Sequence, residues 1–555
     1  MTDTVTVHCL NNNQRKDIPV GTSLVELIDI FKIKSPYLIT NAKVNNKAES
    51  LSYKIYRPKT VEFKDLTDAS AMRTYVRSLC FILSKAVDDT MPNAKMYIEH
   101  AVSKGYYFQI ESDLPVGKQE LDKIRARMWE IVEADLPFVQ VEEETDKVVK
   151  LFRDNGMEDK ALLIETADTL YARYSLLDGY MDYFYGSLTP STGYIKIFDI
   201  QQLNGGFLLR VPDQNNPSEL GPFIKQEKLL NVYREHLDFL KISELENVGD
   251  LNKAIQEDRV YEIIQVAEAY QASQISDIAK HIAKRADDGL KVVFISGPSS
   301  SGKTTFRKRL EVQLLVNRLR PIGISLDDYF VNRENTPLDE DGNKDYESIY
   351  ALDLALFEEH ILKIMKGETI ELPSYNFITG EREYRGNFLK MHENSVLIIE
   401  GIHGLNPKLT EHIPAECMFG IYVSALTTIS LDDHNWIPAS DNRLIRRMIR
   451  DYAHRGYSAQ DTISRWSSVR KGEDKWIFPF QENADVMFNS AMIYELAAIR
   501  RHAEPILMQV PRTAPEYSEA YRLLKFLSYF NYITDRKLPP TSLLREFVGG
   551  SSFRY

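Results

Sequence analysis

The most specific chemistry in the chain sits in one short run, Gly297-Pro-Ser-Ser-Ser-Gly302-Lys303-Thr304. It fits G-x-x-x-x-G-K-[ST], with a β-branched run (Lys291–Ser296) before it and a helix-like run (FRKRLEVQLLVNRL) after it. Glycines let such a backbone curl until its N–H groups converge on one anion, and the helix start adds partial positive charge there. Gly297, Ser299, Ser300, Ser301, Gly302, Lys303, Thr304 and Thr305 are therefore the candidate phosphate-binding residues. Lys303 can reach the outer phosphates of a nucleoside triphosphate, and the Thr304 hydroxyl is a candidate Mg²⁺ ligand. The loop by itself does not say which acceptor, if any, takes the phosphoryl group.

Two strand ends add to it. Ile322-Gly-Ile-Ser325 runs into Leu326-Asp327-Asp328, and Ser395-Val-Leu-Ile-Ile399 runs into Glu400-Gly401. In an open α/β sheet, ligands gather at the carboxyl ends of the strands. A carboxylate at 327 could take the proton of an attacking hydroxyl, and one at 400 could hold Mg²⁺ directly or through water. A further signal is Asp441-Asn-Arg443-Leu-Ile-Arg446-Arg447-Met-Ile-Arg450. Arg443, Arg446, Arg447 and Arg450 follow helical spacing and share one face, with Leu444, Ile445, Met448 and Ile449 on the other. Asp441 reads as the N-cap. Planar guanidinium forks suit phosphate oxygens, so Arg446 and Arg450 are candidate catalytic residues beside Lys303 and Asp327. Arg443 and Arg447 are candidate nucleotide contacts.

The elements that must hold these residues fall into a simple order. Residues 1–62 read as strand, strand, helix and strands, a β-grasp pattern, with Ser23 and Glu26 at capping-box spacing. Residues 63–235 mix a long helix (71–87) with hairpin-like pairs around Ser103-Lys104-Gly105 and Asn204-Gly205. Residues 236–287 read as a helical connector, 288–510 as strand–turn–helix repeats with a mostly parallel sheet, and 511–555 as a helical extension. The chain has 555 residues, which at roughly 150 per domain allows this many units. Its 68 basic and 80 acidic residues leave a net charge of −12, which argues against a general nucleic-acid coat. Cys9, Cys80 and Cys417 are far apart, and no signal peptide or bilayer-length apolar run is seen, so a reducing cytoplasmic setting is expected.

With these residues in hand, 288–500 resembles the uridine kinase and phosphoribulokinase family of P-loop kinases. SLDDYF, YESIYALD, LPSYNF, IIEGI, the arginine helix with Arg455-Gly456, and Ala484-Asp485-Val486 carry the likeness. The resemblance implies ATP with Mg²⁺, Asp327 as the base, Thr304 and Glu400 at the metal, and the arginine helix as a lid. It also implies Glu347 at the ribose hydroxyls, Tyr375 packed on the base and Arg382 against the nucleoside. The chain departs from that pattern at Ile349 and Tyr350, where proline and aspartate stand in the family, and at Gly380, where a base-reading histidine stands. Uridine or cytidine is the implied acceptor. Another small alcohol such as a sugar phosphate, or a role as an NTP-gated tRNA-binding regulator, are the alternatives.

Residues 1–235 resemble the N-terminal part of threonyl-tRNA synthetase, its TGS module and its editing-type domain. PNAKMYIEHAVSKGYYFQIE and PSTGYIKIFDI are the clearest stretches. The family's metal-binding histidine and cysteine positions fall here on Arg77, Phe81, Phe184 and Leu188, so editing chemistry does not carry over. That half is expected to bind, regulate or dimerise: a homo-oligomer is expected, tRNA stays open as a partner, and a membrane does not.

Smaller signals read as structure. Asp339, Asp341, Asn343 and Asp345 alternate like calcium ligands but lack the required glycine, so a polar loop is expected. Tyr171, Tyr174, Tyr180, Tyr183 and Tyr185 read as packing residues. His403 reads as a loop residue near the phosphates.

Overall fold

The structure is a computed structural model and describes residues 3–340 and 342–554. Asp341 of the calcium-like spacing lies outside the described residues. Around it, Asp339 and Asn343 bond to each other across a polar turn.

Strand Thr4–Cys9 pairs antiparallel with Gln14–Pro19 and parallel with Lys59–Asp65, which continues into Ile39–Val44 and Lys47–Ser50. The helix Leu24–Ile30 covers this β-grasp sheet, and its capping box forms as expected, with Ser23 and Glu26 bonded reciprocally. Leu24 and Leu27 are wholly buried with Val7 and Val61. In the second unit the helix Ala69–Thr90 packs on a four-stranded sheet that holds both expected hairpins. Their turns place Ser103, Lys104, Asn204 and Gly205 at positive φ, the conformation two-residue hairpin loops demand.

The third unit positions the site. Its five strands are all parallel, ordered Arg320–Ser325, Ser395–Glu400, Val292–Ser296, Met418–Ser424, Val486–Asn489. The strand before the phosphate loop is central and completely buried. Period-2 alternation sends Val293 and Ile295 to one core and Val292 and Phe294 to the other. On the first face lie the loop helix Lys303–Val316 and the 28-residue helix Val260–Asp287. Residues 236–287 are largely helical, and the helix Glu227–Ile242 crosses the boundary drawn at 235.

The arginine helix runs Ala439–His454. It begins before Asp441, with Pro438 at the cap position, so the N-cap expected at Asp441 is corrected. The Asp441 carboxylate instead takes both forks of Arg522 at 2.6 and 2.9 Å. The C-terminal stretch folds back as core. Tyr183 and Tyr185 pack on Tyr529, Tyr174 is buried with them and Tyr180 lies against Phe81, whereas Tyr171, expected in packing, is 60% exposed. No helix among the described residues is long and apolar enough to cross a membrane.

Candidate active site

The phosphate loop takes a shape that few residues allow. Gly297 has φ 155°, and a Cβ there would run into the Val423 carbonyl oxygen. Ser300 and Gly302 hold φ of 59° and 81°, so the chain reverses before the helix starts at Lys303. The Lys303 ammonium donates to the carbonyls of Gly297 (2.8 Å) and Pro298 (3.1 Å), arching over the loop. Burial pulls its pKa down, while Glu400 and Asp327 oppose this. Ser300 Oγ and Ser301 Oγ are buried and without a hydrogen-bond partner. Orphaned hydroxyls inside a concave backbone fit an anion as the missing partner.

Two strand-end carboxylates lie near that loop. Asp327 lies in the single turn Leu326–Tyr329, whose start is pinned by the Asp327 N–H donating to Ser325 Oγ at 3.2 Å. Solvent can reach the side chain, but protein surrounds it closely. That surrounding raises its pKa, against the pull of Lys303, Arg455 and Arg450. Glu400 is almost buried, and burial pushes it up too, opposed by Arg307 and Lys303. Thr304 Oγ1 donates to Glu400 Oε1 at 3.4 Å, while Glu400 Oε2 makes only an ion pair with Arg307, at 3.3 Å. Among the described residues no group of three metal-ligating His, Cys, Asp or Glu side chains occurs. A hydroxyl and one under-bonded carboxylate beside a phosphate cradle fit Mg²⁺, which usually takes its remaining ligands from phosphate and water.

The four arginines split into two pairs. Arg443 forms a double ion pair with Glu473, and Arg446 does so with Glu495; all four side chains are buried. Arg443 still donates to the Ser299 carbonyl (3.2 Å) and Arg446 to the Ser300 carbonyl (3.4 Å). These two brace the loop from behind. The expectation of Arg446 as a group reaching the moving phosphate is corrected, because its forks are taken up by Glu495 and Ser490. Arg447 donates to Ser299 Oγ at 2.9 Å, and Arg450 leaves its Nε without a hydrogen bond. Arg447 and Arg450 face the loop with unused donors.

Beside Arg447, burial pushes the Glu347 carboxyl up to about 7, against the pull of Arg447 and Lys303. Helix residue Gly472 lies directly on its Cβ, leaving no room for a side chain there. Tyr375 meets Phe330 at a tilt and Phe377 edge-on in an aromatic cluster. Arg382, expected against the nucleoside, has one fork on Asp353 at 2.8 Å. Arg333 lies over Gly380, 2.7 Å from where a Cβ would stand, with its guanidinium donating to the carbonyls of Phe377 (2.5 Å) and Ile378 (3.4 Å). His403 is buried, and burial lowers its imidazole to about 4, opposed by backbone contacts with Ser348 and Glu347.

Residues 292–496 match the model described as "Phosphoribulokinase / Uridine kinase family". This segment is a phosphoribulokinase/uridine kinase family domain. A solved structure entitled a possible uridine kinase, from Bacillus stearothermophilus, is similar at 18% identity over 39% of this chain and all of that one, with a TM-score of 0.27. A phosphoribulokinase from Rhodobacter spheroides is similar at 16% identity over 36% and 70% of the two chains, TM-score 0.25. The N-terminal half matches threonine–tRNA ligases. That of Methylobacillus flagellatus is 30% identical over 167 residues, covering 30% of this chain and 26% of the ligase. The match thus spans about a quarter of that relative's length.

The ligase-like half holds no open site at the four substituted positions. Phe81 stacks on Phe138, Phe184 and Leu188 join the same core, and Arg77 sits over the Tyr185 ring. Sequence reasoning missed Glu473, Glu495 and Arg307 in the family domain. Only the exclusive use of arginine on a half-apolar helix hinted that buried carboxylates must meet it.

Proposed function

We propose that the protein is an ATP-dependent kinase that phosphorylates a small-molecule alcohol, and that the alcohol is the 5′-hydroxyl of a pyrimidine nucleoside, uridine or cytidine. The observation that carries this reading is the meeting of Asp327, Lys303 and Glu400 at one strand-end cleft, each within the electrostatic reach of the others. The match to the phosphoribulokinase/uridine kinase model supports the reaction class.

In this reading the loop amides, Lys303 and Thr305 hold the ATP phosphates. Thr304 and Glu400 hold Mg²⁺, which when bound neutralises charge on the phosphate chain. Asp327 accepts the proton of the acceptor hydroxyl as that oxygen bonds to the γ-phosphorus. The bond from that phosphorus to the bridging oxygen breaks, and ADP leaves. A carboxyl raised above its usual range is a better base near neutral pH. Arg447 and Arg450 supply guanidinium donors over the transferring group, and Glu347 takes the sugar hydroxyls. The Tyr375 ring packs on the base.

Replacing Asp327 by Asn is the direct test. Turnover should fall by about 10²–10⁴-fold while ATP binding is kept, and the acid limb of the wild-type rate profile should vanish with it. Unchanged turnover removes Asp327 from the base role. A second reading, an acidic acceptor such as a sugar phosphate, is favoured by Arg333, the cation lying over Gly380. ADP release measured over nucleosides and sugar phosphates separates the two.

A further inference from the structure

Glu546 belongs to the short helix Arg545–Val548 near the end of the chain. Its Oε2 accepts a hydrogen bond from Thr305 Oγ1 at 2.7 Å and another from the Thr305 backbone N–H at 3.3 Å. Both donors lie in the first turn of the loop helix, where the α- and β-phosphates of a bound nucleotide belong. The backbone that carries Glu546 is fixed. Leu543 presses on Gly302, where a Cβ would stand 2.6 Å from it, and Phe547 lies 5.0 Å from the Arg446 guanidinium. Leu543 and Phe547 are also buried in the same core as Phe306 of the loop helix. The Glu546 side chain is only partly buried, so its torsions remain free to turn. Its charge is felt at Lys303, Glu400 and Arg450.

One set of donors cannot serve a carboxylate and a phosphate together, and the two anions repel. We propose that Glu546 is a built-in competitor for the nucleotide: its carboxylate occupies the phosphate donors of Thr305 in the empty protein and must turn away when ATP or ADP enters. This rests on the reading of the loop as an ATP site. Apparent nucleotide affinity is then set by the fraction of molecules in which the carboxylate is away. The C-terminal helix thereby couples its own placement, through Leu543 and Phe547, to how readily the loop fills.

The test is calorimetric titration of the full chain with ATP and with ADP, without any acceptor. Glu546→Gln and Glu546→Ala should tighten binding by about five- to thirtyfold. Gln keeps the shape and size, so the outcome does not hang on the Ala variant folding. In a Thr305→Ala background most of that gain should disappear, because the shorter of the two contacts has gone. Unchanged or weaker binding by Glu546→Gln overturns the proposal, and so does a gain that survives intact without the Thr305 hydroxyl, which would be a field effect alone. If Lys303→Ala abolishes binding while the Glu546 variants match wild type, the ATP site stands and the competitor falls. If neither wild type nor the Glu546 variants bind nucleotide, both fall.

Discussion

Arg446 and Arg450 lie one turn apart on the same helix, and their surroundings separate them. Arg446 is fully buried, with its forks on Glu495 and on Ser490. Removing it strands a buried carboxylate, and breaking such a pair costs about 3–5 kcal/mol. Arg446→Ala should therefore lower the unfolding midpoint sharply, measured by thermal or urea melting, with activity lost as a consequence. Arg450 has no such commitment: Asp451 is its nearest acid, at 3.6 Å, and burial lowers its pKa. Arg450→Ala should leave the melting midpoint nearly in place and cut kcat by about 10²–10³-fold, the usual loss when one donor to a developing charge is removed. A melting loss for Arg450 equal to that for Arg446 would refute the division. Helical spacing alone showed four equal arginines, because their partners sit on segments 30 to 49 residues away and pairing over that range leaves no local trace.

Elements show the same limit more finely. The helix Ala459–Trp476 contains Gly472, where helix propensity alone favours alanine by about 1 kcal/mol. Gly472→Ala should nevertheless destabilise, because the new methyl would land on the Cβ of Glu347, which is not a flexible tip. Melting should show a lowered midpoint, and the Michaelis constant for the acceptor should rise more than that for ATP. A stabilised protein with unchanged constants would mean that the 347 loop yields freely. What was legible at this scale was the part with local signatures: the loop's glycines, the strands ending in acids, the two hairpin turns and the Ser23 cap. Asp441 misled as a cap because its short acidic side chain is equally suited to pair with Arg522, a residue 81 positions away. The Asp353 partner of Arg382 was equally hidden, since only the fold brings it there.

At the scale of the molecule, one hydrophobic core ignores the unit boundaries read from the sequence. It joins Val148, Phe152 and Tyr185 of the ligase-like part with Leu251 and Ile264 of the connector, Leu444 and Met448 of the arginine helix, and Phe526 and Leu544 of the C-terminal stretch. A buried polar lock adds to it. Lys160 lies 3.3 Å from Asp159, 3.5 Å from Asp182 and 3.3 Å from Asp432, and His434 bonds Asp182 at 2.7 Å. Burial opposes the charge on Lys160, but the three carboxylates hold it protonated. Asp432 and His434 stand in the segment that leads into the arginine helix, so the ligase-like part grips the start of the candidate lid. Resemblance to two separate families suggests separable parts, and the packing predicts the contrary. A chain of residues 288–510 alone would expose the apolar faces of the arginine helix and of Glu495–Leu507, with Leu444, Ile445, Ile499 and Leu507 losing their cover. Fully burying each such side chain is worth about 1.5–3 kcal/mol, and four of them match the whole stability of an ordinary domain. That fragment should therefore bind a hydrophobic dye and melt without a cooperative transition, whereas the full chain melts as one unit. A fragment that melts cooperatively and binds ATP as the full chain does would mean that the shared core is dispensable, and the grip on the lid would lose its basis.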